Sequence, residues 1–382
     1  MKSKTLKTET LNFKLQTSNF SPFLQPMNPK INFTPGPSQL YFTVEGHIRT
    51  AFRDGVPSLS HRSKKFEGIY KDTVDGLRAL LSIPTNYHVF FTGSATEIWE
   101  RLIQNLVEEN SFHLVNGSFS KRFFEIAQQL NKKPTKSEVD AGQGFDNSIS
   151  IPSAAELIAV THNETSSGVS LPLDFIYALK AKNPHALIAV DAVSSLPFPD
   201  FDYSKLDSVF FSVQKGFGLP SGLGVWMVND KCLAKAEALL SKGISIGSYH
   251  NLPSLYAHAL KNQTPETPNV LSIYLLSKVV NDMLRRGITT IRRETEYKAA
   301  ILYQALEKNS QLNAFVANKS FQSKTVIVAN CGEHTEKVAA KIAENGMHPG
   351  DGYGPFKKTQ LRFANFPTHS KEQFELLVDT IS

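Results

Sequence analysis

A single lysine, Lys215, closes the apolar run Ser208-Val-Phe-Phe-Ser-Val-Gln214, after which a glycine-rich turn leads into a second run, Val225 to Val228. An ammonium group at the foot of a buried strand loses its hydration without compensation unless a partner or a reaction uses it. Lys215 is therefore the first candidate for chemistry. Three further apolar runs end in the same way. His88-Val-Phe-Phe stops at Thr92-Gly93-Ser94-Ala95-Thr96, Leu157-Ile-Ala-Val at Thr161-His162-Asn163-Glu164-Thr165, and Ala186-Leu-Ile-Ala-Val at Asp191-Ala192-Val193-Ser194-Ser195. Taken singly, each ending has an ordinary explanation: a lysine snorkels into water, and Ser94 or Asp191 caps the following helix. Four such endings together are harder to dismiss.

The elements that must position these groups follow from the same text. Near-continuous apolar strands separated by helix-sized segments predict a parallel sheet covered on both faces, with ligands beyond the carboxyl ends of the strands. From Glu97 onward Ile98, Trp99, Leu102, Ile103 and Leu106 fall on one helical stripe, so Ser94 to Thr96 form a helix start whose backbone amides attract an anion. An anion-binding helix start, a carboxylate and a lysine on one rim suit pyridoxal phosphate. The amides would take its phosphate, the lysine its aldehyde carbon, and the carboxylate its pyridinium nitrogen.

Length and composition set the frame. A chain of 382 residues, 41% hydrophobic and 20% charged, exceeds what one core usually supports and predicts two domains. No apolar stretch reaches membrane-spanning length, so a soluble protein is expected. The formal charge of +6 is spread along the chain without a basic helix or an interleaved aromatic stripe, which argues against a nucleic-acid partner and leaves anionic small molecules. The two cysteines, Cys232 and Cys331, lie far apart and have no His or Cys at ligand spacing. No metal site and a reducing cytoplasm are expected. Residues 1–30 show no sustained period and read as a loosely held arm. A turn cluster, Asn32-Phe-Thr-Pro-Gly-Pro-Ser38, follows, then a helical spacing at Val44, Ile48 and Phe52, then the basic stretch Ser60-His61-Arg62-Ser63-Lys64-Lys65. From about Ser272 helices and strands alternate: Thr325 to Val328, a helix through Val338 and Ile342, Leu361 to Ala364, and a last helix with Phe374, Leu377 and Ile381.

These residues carry a resemblance. Asn32-Phe-Thr-Pro-Gly-Pro, Ser60-His61-Arg62-Ser63 with Phe66, Gly93-Ser94-Ala95-Thr96, Asn163-Glu164-Thr165, Asp191 with Ser194-Ser195, Gln214-Lys215 and Thr264-Pro265-Glu266-Thr267-Pro268 stand in the order found in class V, fold-type I pyridoxal-phosphate aminotransferases. The chain most resembles their phosphoserine-specific branch, from about Ile31 to the C-terminus. The resemblance implies a large domain over 53–271 and a smaller α+β domain from 31–52 and 272–382. It implies that Lys215 bonds the cofactor, Asp191 meets the ring nitrogen and Thr165 reaches the phenolic side. Ser94, Ala95, Thr96 and Gln214 would hold the phosphate, and Phe119 would stack on the ring. It further implies a homodimer in which Thr264 of one subunit completes the phosphate site of the other. His61 and Arg62 would then face a substrate phosphate across the dimer, while Arg362 takes the α-carboxylate.

One departure is visible. Where that branch has a Gly-His-Arg element, this chain reads Gly350-Asp-Gly-Tyr-Gly-Pro-Phe-Lys-Lys358, leaving Lys357 and Lys358 as the nearby cations. The leading expectation is phosphoserine:2-oxoglutarate transamination. The alternative is a serine- or alanine-glyoxylate type enzyme, or another class V enzyme, acting on a non-phosphorylated substrate.

Overall fold

A computed structural model describes residues 31–382; the arm 1–30 lies outside the described residues. The predicted strand runs form a seven-stranded sheet. Its spatial order is Tyr87–Thr92, Gly224–Asn229, Ser208–Ser212, Leu187–Asp191, Leu157–Thr161, Asn110–Val115 and Lys133–Glu138. Every strand runs parallel except Gly224–Asn229, which pairs antiparallel with both neighbours. The α/β class with a mostly parallel sheet is thus found as expected.

Side chains alternate between the two faces of the sheet, which explains why the strands read as unbroken apolar runs. Phe90, Leu157, Ala189, Phe210 and Trp226 pack on one side with Ile98, Trp99, Phe123 and Leu233 from the helices Ala95–Leu106, Ser118–Gln129 and Asp230–Ser241. Phe91, Ile158, Val190, Phe211 and Met227 pack on the other side with Leu77, Ile176 and Val280 from Lys64–Leu81, Leu173–Lys182 and Val270–Arg286. Each fully buried Phe, Leu or Ile contributes about 1.5–3 kcal/mol, so the sheet is a rigid platform for whatever its strand ends carry.

Register aligns those ends. Thr161 pairs with Asp191, and Asp191 with Phe210, so the Asn163, Asp191 and Lys215 segments leave the sheet on the same edge. A second sheet runs Ile31–Phe33, Met347–Asp351, Gln360–Ala364, Val326–Asn330, Asn313–Ala314; only its first pair is parallel. Phe33, Leu302, Ile327, Ile342, Phe363 and Phe374 form its core with the helices Ile288–Lys308, Thr335–Glu344 and Lys371–Ile381. The turn cluster after Phe33 crosses to the large sheet, where the Ser38 amide donates to the Gln214 carbonyl at 3.1 Å. The helix read through Val44, Ile48 and Phe52 spans Val44–Arg53, but Phe52 is exposed and Ala51 is the buried residue of its last turn.

Candidate active site

A cavity of about 330 Å³ opens where the strand ends converge, lined among others by Ser94, Ala95, Thr96, Phe119, Thr165, Asp191, Gln214 and Lys215. All eight were singled out from the sequence. Ser94 caps the helix Ala95–Leu106, its Oγ accepting from the Glu97 amide at 3.1 Å, and the Ala95 amide donates to Ser212 Oγ at 2.9 Å. These contacts hold the helix N-terminus open toward the cavity at Ala95 and Thr96.

Lys215 is 7% exposed, and its Nζ donates to the Pro35 carbonyl at 2.5 Å. Burial pushes its pKa down to about 8; the charge of Arg362 adds to the fall, while Asp191 and Glu164 oppose it. The chain approaches very closely here: a Cβ at Gly36, where φ is +133°, would come within 2.3 Å of Lys215 Cε. Nζ lies 6.0 Å from the centre of the Phe119 ring. Asp191 is buried and accepts from Trp99 Nε1 at 2.8 Å and from the Val193 amide at 2.9 Å. Burial raises its pKa to about 7, against the pull of those two donors. A cation brought alongside would restore the carboxylate. Thr165 Oγ1 and Asn163 Nδ2 both donate to Ser194 Oγ, each at 2.8 Å, and Ser194 Oγ in turn donates to the Asn163 carbonyl at 3.0 Å.

Arg362, on the second sheet, is not among the residues that line the cavity but contacts two that are, Thr165 and Tyr353. Its Nε donates to the Asp351 carbonyl at 2.6 Å and its Nη1 to the Thr165 carbonyl at 3.2 Å, which fixes the direction of the guanidinium fork. The guanidinium carbon also sits 5.3 Å from the centre of the Tyr353 ring, and Tyr353 in turn lies 5.1 Å from Phe119.

The other expected residues stand elsewhere. His61, Arg62 and Thr264 do not line this cavity. Arg62 holds the Thr264 segment of its own chain: Nη1 donates to Gln263 Oε1 at 2.8 Å and to the Thr264 carbonyl at 2.7 Å, and Nη2 to the Pro265 carbonyl at 3.2 Å. Lys357 and Lys358 are exposed and do not line the cavity either. Sequence reasoning missed Trp99, Ser212, Pro37 and Tyr353 as wall residues. Trp99 had been assigned only to a core stripe, and Tyr353 lay in a segment read for its lack of His-Arg.

The Thr264 segment is tied to the helix start by a buried histidine. His250 Nδ1 lies 2.5 Å from Glu97 Oε1 and its Nε2 2.8 Å from Glu266 Oε2, the latter an ion-pair contact without hydrogen-bond alignment. Glu97 also accepts from the Gly93 amide at 2.8 Å. Burial acts to lower the pKa of His250, yet the two carboxylates outweigh it and raise the value to about 9. Because the folded pKa exceeds the ordinary 6.5, the stabilisation is complete below pH 6.5 and lost as pH rises through 9. The Tm difference between wild type and His250→Gln should therefore be large at pH 6.5 and shrink by pH 10. A constant difference across that range would show that the imidazolium charge is not what holds the segment.

The cavity fits pyridoxal phosphate. It offers a helix start with flanking hydroxyls for a phosphate, a lysine shifted toward its neutral form, a buried carboxylate and an aromatic ring. The Gln214 side-chain oxygen is buried without a partner at its edge. The sequence matches the model of the family described as aminotransferase class-V over residues 32–352. A phosphoserine aminotransferase of Rhodococcus opacus is 28% identical over 351 residues, covering 90% of this chain and 91% of the relative. The crystal structure of a phosphoserine aminotransferase from Cytophaga hutchinsonii superposes with a TM-score of 0.91 at 53% identity, covering 93% of this chain and 98% of that one. A ureidoglycine-glyoxylate aminotransferase from Bacillus subtilis, at 21% identity and a TM-score of 0.78, shares the fold over 92% of each chain. With the family match spanning most of its length and a lysine and a carboxylate gathered at one rim, this chain belongs to the class-V aminotransferases.

Proposed function

We propose that the protein is a pyridoxal-phosphate-dependent phosphoserine:2-oxoglutarate aminotransferase of serine biosynthesis. The observation that carries this reading is the likeness to the Cytophaga hutchinsonii phosphoserine aminotransferase, at more than half identity over nearly the whole of both chains, together with a cavity whose residues fit the cofactor.

When bound, the cofactor supplies an electron-withdrawing ring that acidifies the α-proton of an amino acid and stores the amino group between two half-reactions. The chain supplies the rest. The Thr96 amide and, in exchange for Ser212 Oγ, the Ala95 amide would hold the cofactor phosphate, with the Ser94, Thr96 and Gln214 side chains. Phe119 would pack against the ring and, with Tyr353, limit water. Asp191, oriented by Trp99 and Val193, holds the proton on the ring nitrogen. Thr165, oriented by Ser194, addresses the phenolic oxygen. Lys215, its buried Nζ shifted toward the neutral form, would serve as the base that accepts and gives back the substrate's α-proton. Arg362 receives the substrate carboxylate, its fork aimed by Asp351 and Thr165.

The protein acts as a cytoplasmic homodimer in this reading, with His61, Arg62 and Thr264 presented to the cavity of the partner subunit. Their position outside their own chain's cavity supports that assignment. The proposed boundaries of its two domains are 31–52 plus 272–382 and 53–271, with the helices Val44–Arg53 and Val270–Arg286 packing through Val44, Ala51, Ile273 and Val280 onto the core of the large domain. No helix among the described residues is long and apolar enough to cross a membrane.

The test is substrate discrimination. Arg62→Ala removes a charge-assisted contact to a phosphate tail, so kcat/KM for phosphoserine should fall about ten- to a hundredfold while that for serine or alanine changes little. No loss for phosphoserine would remove phosphate recognition from Arg62, and an equal loss for both substrates would assign it instead to holding the Gln263–Pro265 segment. The Lys357, Lys358 double alanine variant should be near wild type, since both lysines stand exposed and outside the cavity wall.

A further inference from the structure

We propose that Glu164 is a positioning residue that fixes the Phe119 ring over the cavity by capping the Phe119 helix from the strand end that carries Asn163 and Thr165. The assignment deepens the cofactor reading above and rests on it.

The helix Ser118–Gln129 begins at Gly117, a residue with no side chain to cap it. Its first amides would otherwise face the interior unpaired, at a cost that buried polar groups rarely bear. Glu164, fully buried and 45 residues away in sequence from Phe119, takes over the role. One carboxylate oxygen, Oε1, accepts from the Phe119 amide at 3.3 Å, from the Ser166 amide at 3.2 Å and from Ser166 Oγ at 2.6 Å. The other, Oε2, accepts from the Ser120 amide at 2.9 Å and from Ser120 Oγ at 2.9 Å. The packing leaves no slack: a Cβ at Gly117 would come within 2.4 Å of Glu164 Cγ and 2.6 Å of Ser166 Oγ.

Each oxygen of Glu164 thus faces at least one backbone N–H, which can only donate. A carboxylate satisfies both sides, since it is acceptor-only. The isosteric amide does not, because either orientation of a glutamine places its own NH₂ against a backbone N–H. The result is a coupling specific to charge and to acceptor number. Phe119 and Thr165, which line the cavity from different elements, are held in fixed relation by one side chain lying between them in space. The carboxylate also bears on the site electrostatically: burial lowers the pKa of both Lys215 and Arg362, and Glu164 opposes the fall at each. Glu164 does not itself line the cavity, so beyond this through-space field its effect passes through Phe119 and the Asn163–Thr165 turn.

The experiment compares wild type and Glu164→Gln by amide hydrogen exchange in the cofactor-free protein, and by visible circular dichroism and equilibrium binding with pyridoxal phosphate. Loss of one charge-assisted bond to each of two amides should speed exchange at Phe119 and Ser120 about tenfold or more. The induced dichroism should fall by at least about half, and the cofactor Kd should rise about ten- to a hundredfold, the range expected for loss of one charge-assisted contact. Dichroism and Kd within about twofold of wild type, even with faster exchange or a lower Tm, would reduce Glu164 to a structural cap and overturn the proposal; unchanged exchange would overturn it at its root. Should Glu164→Gln not accumulate as folded protein, Ser166→Ala and Ser120→Ala each remove a hydroxyl donor from one carboxylate oxygen and must shift the dichroism in the same direction, failing which the proposal falls. A wild-type protein that binds no pyridoxal phosphate would instead refute the cofactor reading, and the exchange comparison would still decide whether Glu164 caps the helix.

Discussion

Lys215→Ala is expected to lower the rate of amino transfer by at least about a thousandfold while leaving the protein folded, because it removes both the covalent anchor for the cofactor and the group that moves the α-proton. The structure gives reasons for the size of the effect. Within the cavity wall no other amine is present. Arg362, the nearest cation to influence Lys215, is an arginine with its fork engaged by two carbonyls, and a guanidinium does not give up its proton near neutral pH. Burial has also prepared the lysine, since a pKa near 8 leaves a usable fraction of neutral amine where an exposed lysine would offer almost none. The rate at which the cofactor-free protein bonds the cofactor aldehyde should accordingly rise with pH through about 8. Measured in parallel, the cofactor-free Lys215→Ala protein should melt no lower than wild type below pH 8. There the buried ammonium is a cost, which is relieved only as pH climbs from 8 toward the unfolded value of 10.5. Turnover within tenfold of wild type in the variant would remove Lys215 from the chemistry.

Much of this arrangement was legible before any coordinates, for a physical reason. A sheet buried on both faces spells its strands as unbroken apolar runs, so the residue that ends each run stands out; Asp191 and Lys215 are found that way, and their common edge follows from the parallel order. The elements that escaped detection lack that signature. Lys133–Glu138 is a largely exposed edge strand with a proline at its second position, and Met347–Asp351 carries Pro349 and Gly350, so neither reads as a strand by composition. The second strand also pairs with Ile31–Phe33, more than three hundred residues away in sequence, a partnership no local pattern encodes. Side-chain roles that depend on such distant meetings were lost as well. Trp99 sits on its helical stripe as a core residue should, and only the fold shows that its indole N–H is spent on Asp191. Tyr353 lies in a glycine-rich stretch without period, yet folding sets it between Phe119 and Arg362. Glu164 is visible within the Asn163-Glu164-Thr165 turn, but its partners Phe119 and Ser120 come from a helix some forty-five residues away.

The second large effect expected is at Asp191. Replacing it with asparagine keeps the volume and removes the charge, and the surroundings make the substitution costlier than its shape suggests. Both oxygens of Asp191 face donors, Trp99 Nε1 and the Val193 amide. An asparagine can satisfy one of them with its carbonyl but must point its NH₂ at the other, a mismatch in a fully buried position that costs about 1–3 kcal/mol. The asparagine side chain should rotate to relieve it, and the group that meets the ring nitrogen is then displaced as well as neutral. A neutral partner cannot hold a proton on a pyridine nitrogen whose pKa lies below neutrality in water, so the ring loses most of its power to withdraw electrons. We expect kcat for Asp191→Asn to fall about a hundred- to a thousandfold, with KM for the amino donor changed far less, because the substrate carboxylate contact at Arg362 is untouched. Trp99→Phe separates the two contributions. It leaves the charge in place and removes one of the two donors that orient it, and since those donors also work against the burial that lifts the pKa to about 7, the carboxyl in that variant should titrate higher still. Its activity should therefore be lost at the acid end of the profile and recover as pH rises, whereas Asp191→Asn should stay low at every pH. Parallel losses with the same pH dependence in both variants would show that Trp99 supports the fold of the site and does not tune the carboxylate.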